Sequence, residues 1–265
     1  MISLESVSKK YNGKVLLDHV CQSFDAGGAV AFMGHNGCGK STLLKIIAGL
    51  VKPTSGRVTS DRRVLFHYVP EKFMPVPLTA RVYLRRMGAL DGLGQKETAS
   101  RIDTLANDFF FSELLDVPTK YLSKGSLQKV SVIQALLTVP DVLLLDEPLS
   151  GQDAASQEVF IRKINALRDQ GVTVLMACHE QRLVDAIAEK TFVIRNGRLV
   201  TMQIQHRKNH ILILENAANR PIVAGMERFG SGYRLRVDSE KTRAVLLELL
   251  GNGWELRGMY DEKND

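Results

Sequence analysis

Long hydrophobic runs are absent from this sequence. No apolar stretch approaches the roughly 18 residues that a membrane-spanning helix needs, and the N-terminus has no hydrophobic core of a secretory signal. These absences argue against an integral membrane protein and against a secreted one. We therefore expect a cytoplasmic protein that associates with a membrane only through a partner.

Cysteine and tryptophan are also scarce, and the charge is nearly balanced. The 265 residues include one tryptophan and three cysteines, and Cys21, Cys38 and Cys178 lack the spacing of metal ligands, which favours free thiols in a reducing compartment. The net charge of +6 comes from dispersed lysines and arginines, which is typical of a solvated surface, so no nucleic-acid partner is expected. The length and the 45% hydrophobic content suit one large core with a small appended unit.

A glycine-rich segment, here called the phosphate loop, carries the clearest chemical signal. It matches the pattern G-x-x-x-x-G-K-[ST], between an apolar run at 29–33 that predicts a buried strand and residues 43–49, which predict a helix. Glycines let backbone N–H groups surround phosphates, and the following helix directs the positive end of its dipole at the same anions. A glycine turn before a core helix is the alternative, but the flanking elements favour nucleotide binding. The loop comprises Gly34, His35, Asn36, Gly37, Cys38, Gly39, Lys40, Ser41 and Thr42.

Two carboxylates follow another apolar run, 142–145, which predicts a strand buried on both faces. Ligands of α/β sheets lie at the carboxyl ends of such strands. Asp146 is therefore predicted to hold Mg²⁺, through water or through Ser41, and Glu147 to polarise the water that attacks the γ-phosphate. The alternative is a strand that simply ends in exposed acids. His179 ends a further predicted strand at the same edge, and it is expected at the γ-phosphate rather than in a purely structural role.

The remaining pattern predicts an α/β core with a helical insertion. Residues 79 to about 118 have helical periodicity and no strand-like alternation. A turn is predicted at 52–56, and a helix is expected after Asp153. Further strands are predicted to start at Ile2 and to cover 15–24, 64–69, 172–177, 191–195 and 198–202.

The last part of the chain predicts a separate small unit. Strands are expected at 210–214, 233–237 and 254–257, and the chain after Met259 is expected to fray. Regulation, dimer contact and simple stabilisation are all open as its role. A helix opened by Ser239, Glu240, Lys241 and Thr242 is predicted to turn Val245, Leu246, Leu249 and Leu250 inward.

Taken in order, these motifs resemble those of the ATP-binding cassette (ABC) ATPases over residues 1 to about 203. The resemblance implies an α/β P-loop NTPase of the ABC type. Its ATPase domain, 1–203, would have a mixed-sheet core, an antiparallel β subdomain and a helical subdomain at about 78–135. Residues 204–265 would form a small C-terminal α+β domain.

The resemblance also assigns roles around the chain's own nucleotide. Tyr11 looks like the aromatic residue that stacks on adenine, although ordinary packing would also explain a tyrosine at a strand end. Glu71 occupies the place of a glutamine that contacts Mg²⁺ and water. Glu147 looks like the catalytic carboxylate, and His179 looks like the switch histidine. The implied cofactors are ATP and Mg²⁺.

Other positions are implied to act on a second subunit. Ser123, Lys124 and Gly125 fall in a signature segment, 122–126, that contacts the γ-phosphate bound to the opposite subunit, and Asp153 looks like the aspartate of the dimer loop, 150–153. The family arrangement is two ATPase subunits around two ATP molecules, driving an integral membrane permease. A homodimer is preferred to a heterodimer, and the chain would be peripheral on the inner face of the cell membrane.

Several positions depart from the family pattern. Besides Glu71, Lys124 replaces a glycine, Ser126 replaces a glutamine, and Gln152 stands where leucine is common. The segments Tyr-Val-Pro-Glu and Leu-Ser-Lys-Gly look like the branch that exports drugs, antibiotics, peptides or ions through separate permeases. The alternative is a weakly active cassette that serves as a structural or regulatory partner of another. A soluble ABC protein of DNA or the ribosome is disfavoured, because the chain has neither a second cassette nor a long coiled-coil or zinc insertion.

Overall fold

The computed structural model describes residues 1–202, 209–216, 222–223, 225–238 and 241–261. The chain divides into two compact units, Met1–Ile204 and Gln205–Asp265. Among the described residues, no helix is both long enough and apolar enough to cross a membrane.

The first unit contains nine of the named strands and six α-helices within its described residues. The strands are β1 (Ile2–Tyr11), β2 (Lys14–Phe24), β3 (Ala29–Met33), β4 (Ser55–Ser60), β5 (Phe66–Val69), β6 (Val142–Asp146), β7 (Thr173–Ala177), β8 (Lys190–Arg195) and β9 (Arg198–Met202). The helices are α1 (Lys40–Ile47), α2 (Ala80–Leu90), α3 (Gln95–Asp108), α4 (Lys124–Ala135), α5 (Ala154–Asp169) and α6 (Gln181–Ile187), with 3₁₀ turns at Ser112–Leu114 and Thr119–Tyr121.

A six-stranded sheet in the order β5-β6-β7-β3-β8-β9 forms the centre of this unit. All its pairs are parallel except the edge pair of β8 with β9. Every residue of β6 and of β7 is buried, as expected for apolar strands that are covered on both faces. Because β3, β6 and β7 are parallel neighbours, the chain segments that follow them meet at one edge of the sheet.

A three-stranded antiparallel sheet, β2-β1-β4, packs with α1 around a second cluster of core residues. The predicted turn at 52–56 is wrong at its end, because β4 already begins at Ser55 and pairs with β1. Gly56 has a φ of +77°, and a β-carbon there would lie 2.2 Å from the carbonyl oxygen of Ser6. Pairing with β1, rather than hydrophobic alternation in 55–60, forms this exposed strand.

The predicted helical insertion, 79 to about 118, contains α2 and α3, and α4 follows it within 78–135. Thr79 caps α2 by accepting a hydrogen bond from the backbone N–H of Val82. Arg81 joins the segments by ion pairs with Asp103 and Asp116. The interior is formed by aromatic and aliphatic residues that include Leu84, Ile102, Phe109, Phe111 and Leu115.

The second unit is a four-stranded antiparallel sheet with one helix among its described residues. Its elements are β10 (Asn209–Asn216), β11 (Met226–Phe229), β12 (Gly232–Asp238), α7 (Thr242–Gly251) and β13 (Trp254–Asp261), and the strand order is β11-β12-β10-β13. The predicted α+β character agrees with these elements, although β11 was not foreseen. Ser239 and Glu240 lie outside the described residues.

Two details of the predicted tail are wrong. Leu250 is 47% exposed, because the side of α7 that meets Leu212 and Trp254 is formed by Val245, Leu246 and Leu249. The chain does not fray directly after Met259, since β13 continues to Asp261 and pairs with β10.

Candidate nucleotide-binding site

A cavity of about 410 Å³ lies at the carboxyl edge of the central sheet. It is formed where the phosphate loop, the loop after β6 and the residues after β7 come together. Two lining residues, Leu16 and Ser150, were not singled out as site residues from the sequence. The predicted residues on its wall are Asn36, Gly37, Gly39, Lys40, Ser41, Thr42, Glu71, Glu147 and His179.

The phosphate loop adopts a backbone that its glycines permit. Gly34 has a φ of +143°, and a β-carbon there would lie 2.7 Å from the Sγ atom of Cys38. Gly39, with a φ of +114°, precedes α1. These values lie in a region that side-chain-bearing residues rarely adopt. Lys40 is buried, and its Nζ atom donates a hydrogen bond of 2.9 Å to the Gly34 carbonyl oxygen, so the loop itself holds the ammonium group over its own backbone.

Asp146 receives hydrogen bonds from two different elements. The Ser41 hydroxyl of α1 donates to Oδ1 at 2.8 Å, and the Tyr68 hydroxyl of β5 donates to Oδ2 at 2.8 Å. The carboxylate is only 1% exposed. Burial, with the negative charge of Asp146 beside it, raises the pKa of Tyr68 far above its usual range, so this phenol stays a donor.

The donors around Asp146 fit a magnesium ion. A carboxylate beside a hydroxyl supplies the oxygen ligands that Mg²⁺ prefers, and the ion usually adds substrate phosphates and water rather than a protein cage. Ser41, Asp146 and the cavity-lining Glu71 therefore suit a metal that arrives with a phosphate ligand.

Glu147 and His179 form a pair beside this site. His179 Nδ1 lies 2.8 Å from Glu147 Oε2, and the backbone N–H of Glu147 donates to the Ala177 carbonyl oxygen. Glu147 has a φ of +49°, an uncommon conformation for a residue other than glycine. Burial raises the pKa of Glu147, and the interaction with His179 only partly opposes this. A carboxylate with a raised pKa is a stronger base toward a bound water.

The signature segment packs against the loop after β6 of the same chain. Ser123 caps α4 by accepting from the Ser126 N–H at 3.1 Å. Lys124 Nζ lies 2.7 Å from Ser150 Oγ, to which it donates, and Gly125 packs against Gly151. The predicted signature residues are therefore not on the cavity wall, but Lys124 touches a residue that is.

Asp153 joins the same loop to α4. Asp153 caps α5, because its carboxylate accepts a hydrogen bond from the backbone N–H of Ser156. The carboxylate also accepts a hydrogen bond of 2.8 Å from Nζ of the buried Lys129. Lys129 also donates to the Phe109 carbonyl oxygen. The hydrogen bond from Lys129 is the main reason that the pKa of Asp153 is held well below its usual range.

Tyr11 ends β1 with its ring half-exposed. The ammonium group of Lys9 lies 4.8 Å from the centre of the ring, and Tyr11 is not on the wall of the cavity. The structure therefore leaves its predicted contact with a base as a prediction.

Sequence reasoning missed Tyr68 and Leu16. Both lie on strands, where a single polar or apolar residue gives no signal that it faces a site rather than the core. The nearest signal for Tyr68 was its position three residues before Glu71, at the end of a strand that leads to the same edge.

Comparison with known proteins decides the family. A family model described as "ABC transporter" matches residues 17–150. The zinc import ATP-binding protein ZnuC of Halorhodospira halophila is 34% identical over 203 residues, which cover 75% of each chain. The chain belongs to the ABC transporter family. It is an ATP-binding subunit and an ATPase of that family, which confirms the resemblance at this level.

Other ABC proteins are similar over a comparable length. The ABC transporter ATP-binding protein NatA of Bacillus subtilis is 29% identical over 216 residues, 76% of this chain and 88% of its own. A solved ATP-binding subunit of an ABC transporter has a TM-score of 0.71 and 27% identity, covering 77% of this chain and 90% of its own. The cbiO1 protein of Clostridium perfringens, part of the ABC transporter complex cbiONQ, has a TM-score of 0.61 and 26% identity, with coverages of 75% and 86%. These likenesses confirm the predicted fold class.

Proposed function

We propose that the cavity beside the phosphate loop binds and hydrolyses MgATP, and that the chain thereby powers a separate membrane permease. One observation carries the proposal: Lys40, Ser41 and the Glu147–His179 pair line the same cavity, and Ser41 donates a hydrogen bond to Asp146 behind it. Residues 1–203 would form the ATPase domain, with the helical subdomain at about 78–135, and 204–265 a C-terminal domain.

Each group has a role that its chemistry supports. The N–H groups of the phosphate loop and the Lys40 ammonium bind the phosphates, and Lys40 exchanges the Gly34 carbonyl for a phosphate oxygen. Mg²⁺, held by Ser41 and Asp146 with Glu71 nearby, would neutralise phosphate charge when bound. Glu147 accepts a proton from the attacking water, and His179 orients its carboxylate. Tyr11 stacks on the adenine.

The first test replaces the proposed phosphate ligand and the proposed base separately. Lys40→Ala should lose ATP binding, whereas Glu147→Gln should bind ATP and lose turnover. Calorimetric titration with ATP and a phosphate-release assay measure the two effects. Near-normal ATPase in Glu147→Gln would refute the assignment of the base without affecting the family.

Subunits of this family work with membrane permease components and dimerise. We propose a homodimer in which Ser123, Lys124 and Gly125 of one subunit complete the site of the other, with Asp153 in the dimer loop. Light scattering of Glu147→Gln with and without MgATP tests this. A mass that doubles only with MgATP would support the homodimer. A chain that stays monomeric with bound ATP would instead support the alternative, a weakly active cassette that is a structural or regulatory partner of a second cassette.

The direction of transport has two candidates. The segments Tyr-Val-Pro-Glu and Leu-Ser-Lys-Gly predict export, but ZnuC relatives at up to 34% identity are named zinc import proteins, which favours import as a second candidate. Peripheral attachment at the inner membrane face, through the permease, is common to both. Inverted membrane vesicles that carry the chain with its permease distinguish the two: ATP-dependent uptake would support export, and ATP-dependent loss of preloaded zinc would support import.

A further inference from the structure

We propose that Tyr68 is a positioning residue for the magnesium site, acting through Asp146. The inference rests on the proposed binding of MgATP. Tyr68 does not line the cavity, so it does not contact the nucleotide directly. Its hydroxyl reaches the site through a hydrogen bond of 2.8 Å to Asp146 Oδ2.

The two hydroxyl donors determine the orientation of the carboxylate. Ser41 and Tyr68 belong to α1 and β5, and each donates to a different oxygen of Asp146. A carboxylate oxygen can accept two hydrogen bonds, so Oδ1 keeps capacity for a metal or its water while it holds the Ser41 hydroxyl. With Oδ2 occupied by Tyr68, the carboxylate cannot rotate without breaking a bond.

The strand pairing holds the phenol in place. In the parallel pair of β5 with β6, Tyr68 is opposite Leu144 and Val69 is opposite Leu145, so Asp146 continues β6 just past the end of β5. The Tyr68 ring packs against the core cluster that contains Leu144. Because the ring has little freedom, its hydroxyl is a fixed donor, and Asp146 is 1% exposed, so water is not a ready substitute.

Removal of the hydroxyl should therefore weaken the metal site and spare the phosphate site. In Tyr68→Phe, the buried Oδ2 loses its donor, and the carboxylate is free to turn toward Ser41. Groups that orient a metal ligand typically change metal affinity by roughly 10- to 100-fold when they are removed. Lys40 and the loop N–H groups are untouched, so binding of the nucleotide without metal should not change.

The test titrates Mg²⁺ against a fluorescent, non-hydrolysable ATP analogue bound to the full chain. For Tyr68→Phe we expect the half-saturating Mg²⁺ concentration to rise about tenfold, with an unchanged analogue affinity in EDTA. Tyr83→Phe is the matched control, because its partly buried hydroxyl donates to Gln134 of α4 at 2.5 Å and neither residue lines the cavity. It should leave both values unchanged.

A second comparison separates positioning from general stability. In Asp146→Asn, the further change Tyr68→Phe should alter the Mg²⁺ midpoint by less than twofold, because Tyr68 acts through Asp146. If Tyr68→Phe does not unfold cooperatively, Tyr68→Met takes its place in the titration. Methionine also lacks the hydroxyl donor, and its flexible side chain can fill the space of the ring.

Three outcomes would overturn the inference. One is an unchanged Mg²⁺ midpoint in Tyr68→Phe, and another is an equal loss of affinity with Mg²⁺ and with EDTA, which would indicate a structural role. A wild-type chain that binds the analogue equally with and without Mg²⁺ would instead remove the proposed metal site, and the inference with it. This last result is recognised in the wild type before any variant is made.

Discussion

The backbone of Gly125 packs so closely against Gly151 that a β-carbon at Gly125 would lie 2.1 Å from the Gly151 carbonyl oxygen. Gly125→Ala must therefore push α4 away from the loop after β6. We expect a loss of about 1–3 kcal/mol in the free energy of unfolding, as for other overpacked contacts, and a lower ATPase rate. Urea denaturation and phosphate release measure the two effects.

Gly94→Ala is the control for this substitution. Gly94 also lies at the start of a helix, with an ordinary φ of −66°, and a β-carbon there would meet nothing within 4 Å. Its effect should stay within about 0.5 kcal/mol. A Gly125→Ala variant as stable and active as Gly94→Ala would contradict the close packing.

Glu147→Gln should abolish turnover and make the chain more stable at neutral pH. The ATPase rate should fall at least about 100-fold with loss of the base. Burial raises the pKa of Glu147, so the folded state holds the proton more firmly than the unfolded state, and stability falls as pH rises and the group ionises. A neutral glutamine removes this cost.

The stability gain has a defined pH dependence. The variant should exceed the wild type in free energy of unfolding at neutral pH. The difference should shrink as pH falls through the raised pKa of Glu147 and disappear below the pKa of an unfolded glutamate, about 4.3, because the group is then protonated in both states. Urea denaturation across this pH range measures it. Glu113→Gln, at an exposed position, is the control, and a Glu147→Gln variant less stable than wild type at neutral pH would contradict the argument.

Lys129→Met should lower the free energy of unfolding most at pH values above the pKa of an unfolded aspartate. The depressed pKa of Asp153, due first to Lys129, means that the pair stabilises the fold above the pKa of an unfolded aspartate, about 3.9, and that this contribution is lost as pH falls through the folded value. The Asp153 side chain is 55% exposed, so we expect a modest loss, about 1 kcal/mol.

The comparison for this pair is Arg57→Met, which removes an exposed ion pair with Glu5. Its effect should be smaller, below about 1 kcal/mol, and should decrease with added salt. A loss in Lys129→Met that persists unchanged at low pH would show that packing or the bond to Phe109, not Asp153, is responsible.

Tyr11→Ala should weaken ATP binding about tenfold if the ring stacks on adenine, since an aromatic–base contact contributes roughly 1–3 kcal/mol. Tyr11→Phe keeps the ring and should bind normally. Tyr121→Ala is a matched control, because Tyr121 is also exposed and has the ammonium of Lys120 at 4.7 Å from its ring. Calorimetric titration measures the ATP affinity of the three variants. Equal affinities in Tyr11→Ala and Tyr121→Ala would exclude stacking of Tyr11 on the adenine.

Local motifs made much of the site predictable. The strand before the phosphate loop and the strand before Asp146 and Glu147 are apolar enough to be recognised, and parallel strands bring their carboxyl ends together. The roles of these residues, and of the signature segment, remain predictions. The proximity of Ser41 to Asp146 was foreseen in this way.

Other contacts between distant segments could not be predicted. The bond from Tyr68 to Asp146 spans 78 positions, and nothing in 66–69 distinguishes a donor from a packed tyrosine. The strand β4 depends on pairing with the edge of β1, and the exposure of Leu250 depends on which side of α7 packs against its sheet. Such features are set by tertiary packing, which overrides local pattern.

The hydrogen bond between Lys124 and Ser150 couples the movement of α4 to that of the cavity wall. Ser150 is on the wall of the cavity, and Lys124 begins α4, so the two move together as long as the bond of 2.7 Å persists. Lys129 and Asp153 form a second link, five residues further along α4. Two attachment points constrain rotation as well as translation. A tilt of α4 must therefore either move the cavity wall at Ser150 with it or break the hydrogen bond between Lys124 and Ser150. That bond should break before the one between Lys129 and Asp153, because Lys124 is exposed.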